Sequence, residues 1–334
     1  MARRPTIIDV ARLARVSKAT VARVVNGQHD IVRDATRERV EQAIEQLGYE
    51  RNAVASSLRT DQTFVIALSI PDISNPFWPD VTRGVQDTLE ENDYAVVTLN
   101  TDWKVERERN YLKMIRRNRF DGLIINPNRV STNELADLKI PVVILGSGEA
   151  YPDYDSVGSA TEQGAQDAFK HLYELGHRRI GLITGQSARK KVQTRRDSYL
   201  KFLLMNQIPL DETLIIESEF SREAGYEAMR QFLTLAVPPS AVVAANDILA
   251  IGVLKAAQEM HYRVPEDISI IGIDDIYAAA TTSPALTTVA KLKYETGVQA
   301  AKFLLERLTS QAPQAARHIQ LPCTLVVRGS TTSV

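Results

Sequence analysis

Cysteine is nearly absent from this 334-residue chain, which contains only Cys323. A single cysteine forms no intrachain disulfide, and such a composition is typical of a protein in a reducing compartment. Long apolar runs are also missing, so no stretch of the sequence is expected to span a bilayer. The basic N-terminus leads into an amphipathic pattern and lacks the apolar core of a secretory signal. We therefore expect a cytoplasmic protein without a membrane partner.

Motifs of catalysis are lacking as well. No G-x-G-x-x-G follows a predicted strand, and Gly185-Gln186-Ser187 lacks the continuation of a phosphate-binding loop. The 5 histidines are scattered without ligand spacing, so we expect no metal and no other cofactor. The paired carboxylates that stand out, Asp274-Asp275, follow a predicted strand, where such a pair more often binds hydroxyl groups. These absences argue against an enzyme.

What the first sixty residues do contain is a pattern of three short amphipathic helices. Thr6 and Asp9 have the spacing of a capping box, and Ser17 is a candidate N-cap for a helix over Lys18–Val25. That helix turns Val21, Val24 and Val25 inward and leaves five residues outside: Lys18, Ala19, Thr20, Ala22 and Arg23. A third helix ends at Gly48 and has an inward face of Val40, Ala43, Ile44 and Leu47. Two short helices across a tight turn, braced by a third, predict a helix-turn-helix unit.

Charge is distributed unevenly along the chain. Residues 1–60 hold 11 Lys+Arg and 7 Asp+Glu, a net charge of +4. The remaining 29 basic and 34 acidic residues give −5, and the two parts sum to −1. A basic terminal module on a mildly acidic body is expected where one end of a protein meets a polyanion. A solvated helical bundle is the alternative, but the capped short helices with outward Lys, Thr and Arg favour double-stranded DNA.

The run Asp9 to Asn26, D-V-A-x-x-A-x-V-S-x-x-T-V-x-R-V-V-N, resembles the N-terminal signature of the LacI/GalR (lactose-repressor/galactose-repressor) family. Leu47-Gly48-Tyr49 and 52–58 extend the resemblance, which implies a hinge helix over about 52–58 that orders when two copies meet in the DNA minor groove. The resemblance also implies that Leu58 wedges between base pairs. On the outward face of the second helix, we expect Arg23 to contact a base, guanine, and Thr20 to contact phosphate. The implied DNA contacts are Thr6, Ser17, Lys18, Ala19, Thr20, Arg23, Asn26, Asn52, Ala55 and Leu58. Ala22, Arg51 and Ser56 depart from the family pattern.

Beyond residue 62, strands with continuous apolar faces alternate with amphipathic helices, and the alternation starts again near residue 160. This pattern predicts an α/β body of two doubly wound parallel sheets with a ligand crevice at the carboxyl ends of their strands. I-P-D-I-S-N-P-F at Ile70–Phe77 and V-P-E-D-I-S-I-I-G-I-D-D at Val264–Asp275 resemble the same family, whose body has the periplasmic sugar-binding fold. The resemblance implies a DNA-binding domain at 1–60 and an effector-binding and dimerisation domain at 62–334. Within the latter it implies subdomain N (62–159 and 291–320) and subdomain C (160–290 and 321–334).

Polar side chains near the predicted strand ends are candidates for binding an effector, and Arg195 matches the Arg with which the family grips its effector. The candidates are Asp72, Ser74, Asn75, Phe77, Asn126, Arg195, Asn246, Asp247, Asp274 and Lys293. Carboxylates, amides and an aromatic face suit a polyhydroxylated ligand. Each of these residues has an alternative role in a cap or turn, above all Asn246-Asp247. Arg195 and Lys293 together would neutralise an anionic ligand such as a sugar acid or sugar phosphate, and a neutral sugar is the alternative.

Together these patterns predict a homodimeric, nucleoid-associated repressor that a small sugar-like effector releases from a palindromic operator. Because no terminal heptad repeat is present, we expect dimers. A co-repressor, whose ligand tightens DNA binding, and a regulator that answers to a phosphoprotein remain open alternatives within the same class. A sugar-binding receptor of a transport system would need a signal peptide and no helix-turn-helix. A sugar-metabolising enzyme would need a phosphate loop, a dinucleotide fingerprint or a base–nucleophile pair.

Overall fold

The computed structural model describes residues 5–25, 27, 29–49, 62–185, 190–310 and 314–334. The chain divides into two compact units, Met1–Thr63 and Phe64–Val334. Within the described ranges, no helix is long and apolar enough to cross a membrane.

The first unit is a head of three helices, α1 (Ile7–Ala14), α2 (Lys18–Val25) and α3 (Asp34–Leu47). The predicted capping box is present, because Thr6 N and Oγ1 donate to Asp9 Oδ2 at 2.9 and 2.6 Å. Ser17 Oγ accepts from Thr20 N at 3.1 Å and so caps α2. Gly48 ends α3 with φ 59°, a conformation that favours glycine.

Small and β-branched side chains fill the interior of the head. Val10, Val21 and Val40 are fully buried, at 0% exposure. Val25, Ile44 and Leu47 pack at the edge of this core and are partly exposed. The predicted inward faces of α2 and α3 are therefore confirmed, whereas a short 3-10 turn at His29–Ile31, between the two helices, was not predicted.

The second unit contains two six-stranded sheets, which we call, together with their covering helices, the first and second lobes. The strands of the first lobe are β1 (Val65–Ile70), β2 (Ala95–Asn100), β3 (Gly122–Ile125), β4 (Val142–Leu145), β5 (Asp155–Ser159) and β11 (His318–Leu321). They are parallel and lie in the order β11-β5-β4-β3-β1-β2. The covering helices are α4 (Phe77–Glu90), α5 (Val105–Arg117), α6 (Thr132–Ala136) and α12 (Lys293–Thr309).

The second lobe repeats this plan. Its strands are β6 (Ile180–Gly185), β7 (Ile215–Ser218), β8 (Ala241–Ala244), β9 (Ser269–Asp274), β10 (Thr287–Lys291) and β12 (Cys323–Val326). They lie in the order β12-β10-β9-β8-β6-β7, and β12 alone runs antiparallel to its neighbour. The helices are α7 (Thr161–Glu174), α8 (Lys190–Met205), α9 (Arg222–Leu233), α10 (Asp247–Glu259) and α11 (Tyr277–Thr281). The predicted α/β class with two sheets is thus confirmed.

Strand β5 is the main element that the sequence did not predict. Its sequence, Asp-Ser-Val-Gly-Ser, has one large apolar residue, yet its first four residues are buried. Asp155 can be buried because Arg307 and Arg317 each place a guanidinium nitrogen 2.8–2.9 Å from its carboxylate. The helix α11 was also missed, and α8 begins at Lys190 rather than at the predicted Arg195.

The chain crosses between the lobes more than once, since α12 and β11 follow the strands of the second lobe but pack in the first. Helices α4 and α12 touch backbone to backbone. A Cβ on Gly84 would lie 2.1 Å from Tyr294 O, and one on Gly297 would lie 2.1 Å from Val81 O. This close approach fixes the start of α12, where Lys293 lies, against α4.

Candidate DNA-binding face and effector cleft

The outward face of α2 carries the predicted DNA-contacting residues. Lys18, Ala19 and Arg23 are exposed and Thr20 is half-buried. Within the described residues, neither Lys18 nor Arg23 has a carboxylate at ion-pair distance, whereas Arg37 on α3 pairs with Asp34 and Glu41 at 3.3 and 3.7 Å. The two cations of α2 therefore remain available for an external anion such as a phosphate.

Thr6 and Ser17 are positioned by the same caps that start α1 and α2. Their hydroxyl groups are engaged with Asp9 and with Thr20 N, so any contact with DNA would add to a capping role. Four further residues predicted to touch DNA lie outside the described residues, as does the predicted hinge helix at 52–58: Asn26, Asn52, Ala55 and Leu58.

In the second unit, five charged side chains meet where the two lobes face each other; we call them the charged cluster: Asp80, Asp274, Asp275, Lys291 and Lys293. Lys291 Nζ lies 2.8 Å from Asp274 Oδ1, and the two side chains are only 9% and 7% exposed. Lys293 Nζ donates to the backbone oxygens of Asp274 and Asp275 at 3.1 and 2.6 Å. It also lies 3.7 Å from Asp80 Oδ2, on the first lobe's helix α4. The cluster therefore joins the end of β9 to the first lobe.

Asp274 and Asp275 have an unusual backbone. Their φ angles are 123° and 53°, in a region that residues other than glycine rarely adopt. Arg328 Nη2 donates to Asp275 Oδ1 at 2.7 Å and, with Lys293, holds this turn in place. Strained backbone of this kind concentrates at functional sites, where the surrounding contacts maintain it.

Phe77 is the candidate of the loop after β1 that reaches the charged cluster, because its ring centroid lies 5.3 Å from Lys291 Nζ. Four other candidates of the first lobe instead bond within that lobe. Asp72 Oδ1 accepts from Ser74 N and Oγ at 2.9 and 2.6 Å. Asn75 Oδ1 accepts from Phe77 N at 3.0 Å, and Asn126 Nδ2 donates to Leu145 O at 2.7 Å. These bonds shape the loops, and the role of the four side chains toward a ligand stays a prediction.

Asn246 and Asp247 lie at the start of α10, and both bond within the second lobe. Asn246 Oδ1 accepts from Leu249 N at 2.9 Å, which is an N-cap. Asp247 is fully buried, and its oxygens accept from Thr288 Oγ1 and from Ile276 N at 2.5 and 2.8 Å. Burial, reinforced by the nearby charge of Asp274, raises the pKa of Asp247 to about 7.

Arg195 lies on α8 with a buried Nε atom that has no hydrogen-bond partner among the described residues. Burial lowers the pKa of its guanidinium from the ordinary value, and the charge of Asp274 opposes that shift. Four more buried polar atoms lack a partner in the same described part of the chain: Ser69 Oγ, Thr101 Oγ1, Asn128 Oδ1 and Thr184 Oγ1. All four lie at or just beyond the carboxyl ends of parallel strands, where a ligand or water would satisfy them.

An aromatic contact crosses between the lobes at the same ends of the strands. The rings of Trp103, after β2, and Phe220, after β7, have centroids 6.0 Å apart and an interplanar angle of 31°. Trp103 has φ 58°, and its carbonyl accepts from Asn128 Nδ2 at 2.6 Å. The sequence did not single out either ring, nor Lys291. Lys291 had a usable signal, because it ends a strand whose first three residues are buried and in which an unpaired charge would be costly.

Comparison with known proteins identifies families and relatives with this architecture. Residues 6–52 match the family described as bacterial regulatory proteins, lacI family, and residues 169–331 match a periplasmic binding protein-like domain. The transcriptional repressor PurR of Haemophilus influenzae (strain PittEE) is 33% identical over 335 residues, covering 98% of this chain and 99% of that protein. This chain belongs to the LacI family.

Solved structures of LacI-family members agree in fold. The lac repressor dimer bound to operator and the anti-inducer ONPF has a TM-score of 0.88 at 29% identity, covering 99% of this chain and 100% of that one. A LacI-family regulator from Enterococcus faecium with bound ribose has a TM-score of 0.75 at 31% identity, covering 81% of this chain and 99% of that one. The resemblance stated from the sequence motifs is therefore confirmed.

Proposed function

We propose that this LacI-family chain is a homodimeric repressor that binds a near-palindromic operator and leaves it when a small polyhydroxylated effector enters the cleft between the lobes. Residues 1–60 act as the DNA-binding domain and residues 62–334 as the effector-binding and dimerisation domain. The protein works by binding rather than catalysis, in the cytoplasm where the DNA lies. The observation that carries this proposal is the capped α2, whose outward cations have no partner among the described residues of the head.

The chemistry of α2 fits the major groove. Arg23 offers the planar pair of donors that matches guanine O6 and N7, while Lys18 and Thr20 suit phosphate oxygens. Two copies related by a two-fold axis would read half-sites about 34–36 Å apart, one turn of the duplex. We propose that Asn52, Ala55 and Leu58 add minor-groove contacts at the centre, where paired apolar wedges kink the DNA.

The effector site is proposed between the lobes at the carboxyl ends of their strands, with Arg195, Phe77, Asp274 and the hydroxyl groups that lack a partner among the described residues as its candidate contacts. A ligand that contacts both lobes stabilises one relative arrangement of them, and this arrangement sets the affinity for the operator. Coupling between two such sites is typically about 1–3 kcal/mol, which corresponds to roughly 5–150-fold in affinity.

The experiment that tests this function starts with selection of bound sites from a random duplex library by the full chain at fixed salt. The selected sites should be near-palindromic. Arg23→Met should weaken binding about 10- to 100-fold and relax the preference at one position of each half-site. Arg37→Met is the matched control, since Arg37 already has carboxylate partners, and should leave affinity nearly unchanged. Unselective binding, or equal effects of the two variants, would refute the proposed role of α2.

A panel of sugars, sugar acids and sugar phosphates titrated into the operator complex then gives the sign of the coupling. Release of the duplex supports a repressor with an inducer, whereas tighter binding supports the co-repressor alternative. The salt concentration is held constant throughout, because affinity for DNA falls steeply with salt.

A further inference from the structure

The charges around Arg195 do not balance among the described residues. Arg195 has no carboxylate at ion-pair distance there, and Asp274 is the acidic residue whose charge acts on it. Asp274 is already held by Lys291 at 2.8 Å. The residues just before Arg195, 185–194, include Arg189, Lys190 and Lys191 and no Asp or Glu. The sequence of this segment therefore offers no carboxylate for Arg195 either.

The other charges beside Asp274 have partners. Arg328 binds Asp275 at 2.7 Å, and Lys293 lies 3.7 Å from Asp80. Asp247 is occupied by Thr288 and Ile276 N, and with a pKa of about 7 it carries less than a full charge at neutral pH. Lys291, Asp274 and Arg195 thus form a group of two cations and one anion, and the partly protonated Asp247 beside Asp274 offsets only part of the excess positive charge.

A guanidinium whose Nε is buried without a hydrogen-bond partner is destabilised, because that atom has lost its hydration. Arg stays protonated in proteins, so this site cannot lose its charge by releasing a proton. Its planar guanidinium instead matches the paired oxygens of a carboxylate or a phosphate. An acceptor from outside the chain would satisfy both the excess charge and the unbonded Nε.

We propose that the effector carries an acidic group, a carboxylate or a phosphate, that pairs with Arg195. This inference rests on the proposed function only in taking the cleft as the effector site. Lys293, which the sequence suggested as the second cation, is occupied by Asp80 and two backbone oxygens. Lys291, and not Lys293, is therefore the second residue that determines the preference for an acidic ligand.

Lys291 determines specificity by holding Asp274 away from Arg195. Lys291 Nζ lies 2.8 Å from Asp274 Oδ1 and 5.3 Å from the centroid of the Phe77 ring, and so retains the carboxylate whose charge acts on Arg195. Lys291→Met would leave Asp274 free to pair with Arg195, and the excess positive charge would disappear. The preference for an acidic ligand should then disappear as well, although the fold and Arg195 are intact.

The test uses calorimetry on the full chain with matched pairs, glucose against glucuronate and ribose against ribose 5-phosphate, and with inorganic phosphate as a minimal probe. The acidic member of a pair should bind about 10- to 100-fold more tightly than the neutral one, as expected for hydrogen bonds to a charged group. Lys291→Met should reduce this ratio to near one. If neither pair binds, inorganic phosphate decides: binding that Arg195→Met abolishes supports the inference, and no binding overturns it.

Arg196→Met is the control variant, because the neighbouring Arg196 is half-buried and already pairs with Glu212 and Glu217. It should bind the probes as the unaltered chain does. Without any anion, Arg195→Met should be at least as resistant to thermal unfolding as the unaltered chain, since it removes the buried Nε that has no partner among the described residues. Neutral sugars that bind as tightly as their acids would overturn the inference and leave the proposed repressor function standing. Failure to select an operator would refute the function but not this result.

Discussion

The contact between Trp103 and Phe220 should measurably tie the two lobes together. A centroid separation of 6.0 Å at 31° lies within the range in which two rings attract each other. Because Trp103 extends from the first lobe and Phe220 from the second, this attraction favours the observed arrangement over one with the lobes apart. Phe64 and Tyr94, 5.5 Å apart within the first lobe, make a comparable pair that does not cross the cleft.

The magnitude follows from the geometry. Aromatic pairs at such distances contribute about 0.5–1.5 kcal/mol beyond the burial of their surface. The same free energy would change the equilibrium constant between two arrangements of the lobes about 2- to 12-fold, since about 1.4 kcal/mol corresponds to tenfold. This effect is large enough to alter an allosteric response and small enough to leave the fold intact.

The assay is a double-mutant cycle with Trp103→Ala, Phe220→Ala and the double variant. Two quantities are measured for each variant: the free energy of unfolding, and the effector concentration at which half of the operator complex dissociates. The cycle on unfolding should give a coupling of about 0.5–1.5 kcal/mol. Single variants should also shift the effector midpoint, whereas Phe64→Ala and Tyr94→Ala should change stability alone. Additive effects of Trp103 and Phe220, within about 0.3 kcal/mol, would show that the rings do not interact in solution.

Two predictions concern stability and pH. Between about pH 4 and 7 folded Asp247 retains a proton that the unfolded chain has released, so its raised pKa of about 7 makes stability fall as pH rises through that window. This loss of stability has an upper limit on the order of 4 kcal/mol. Asp247→Asn should make it smaller, which is measured by comparing the urea midpoints of unfolding at pH 5 and pH 8. At Asp155 burial acts to raise the pKa, but the hydrogen bonds of Arg307 and Arg317 overcome it and hold the pKa well below the usual range. Its stabilisation is therefore present above pH 4 and lost in stronger acid. Asp155→Asn should cost about 3–5 kcal/mol at pH 7, because Arg307 loses its carboxylate partner and Arg317 keeps only Glu306. The same change at the exposed Asp153, Asp153→Asn, should cost almost nothing.

The elements that periodicity could predict are those whose apolar residues alone determine burial. The strands Gly122–Ile125, Val142–Leu145 and Ala241–Ala244 have the predicted bounds, because each is a continuous apolar run. Strand β5 was missed because its burial depends on Arg307 and Arg317, more than 150 residues away in sequence. Ion pairs between distant residues leave no local pattern.

The sequence indicated which residues are candidates for the effector site, but not which of them contact one another. Residue type and position at a strand end indicated Asp247 and Asp274 equally. The structure gives them different partners, since Asp247 accepts from Thr288 and Ile276 N while Asp274 pairs with Lys291 in the charged cluster. The partners of two similar carboxylates depend on the side chains that surround each of them, and around Asp274 these come from β10, α12 and α4.

The charged cluster around Asp274 provides a route by which binding at Arg195 would move the lobes. The carboxylate of Asp274 contacts Lys291, and its charge also acts on Arg195. Lys293 binds the strained backbone of Asp274 and Asp275 and lies beside Asp80 of the first lobe. An anion on Arg195 would compete with Asp274 for that attraction and leave Asp274 more strongly bound to Lys291. Because both lysines lie at the junction with α12, which is packed on α4, a change in this balance acts on the first lobe directly. A neutral ligand would not change the charge around Asp274, so it would need a different route to the same movement.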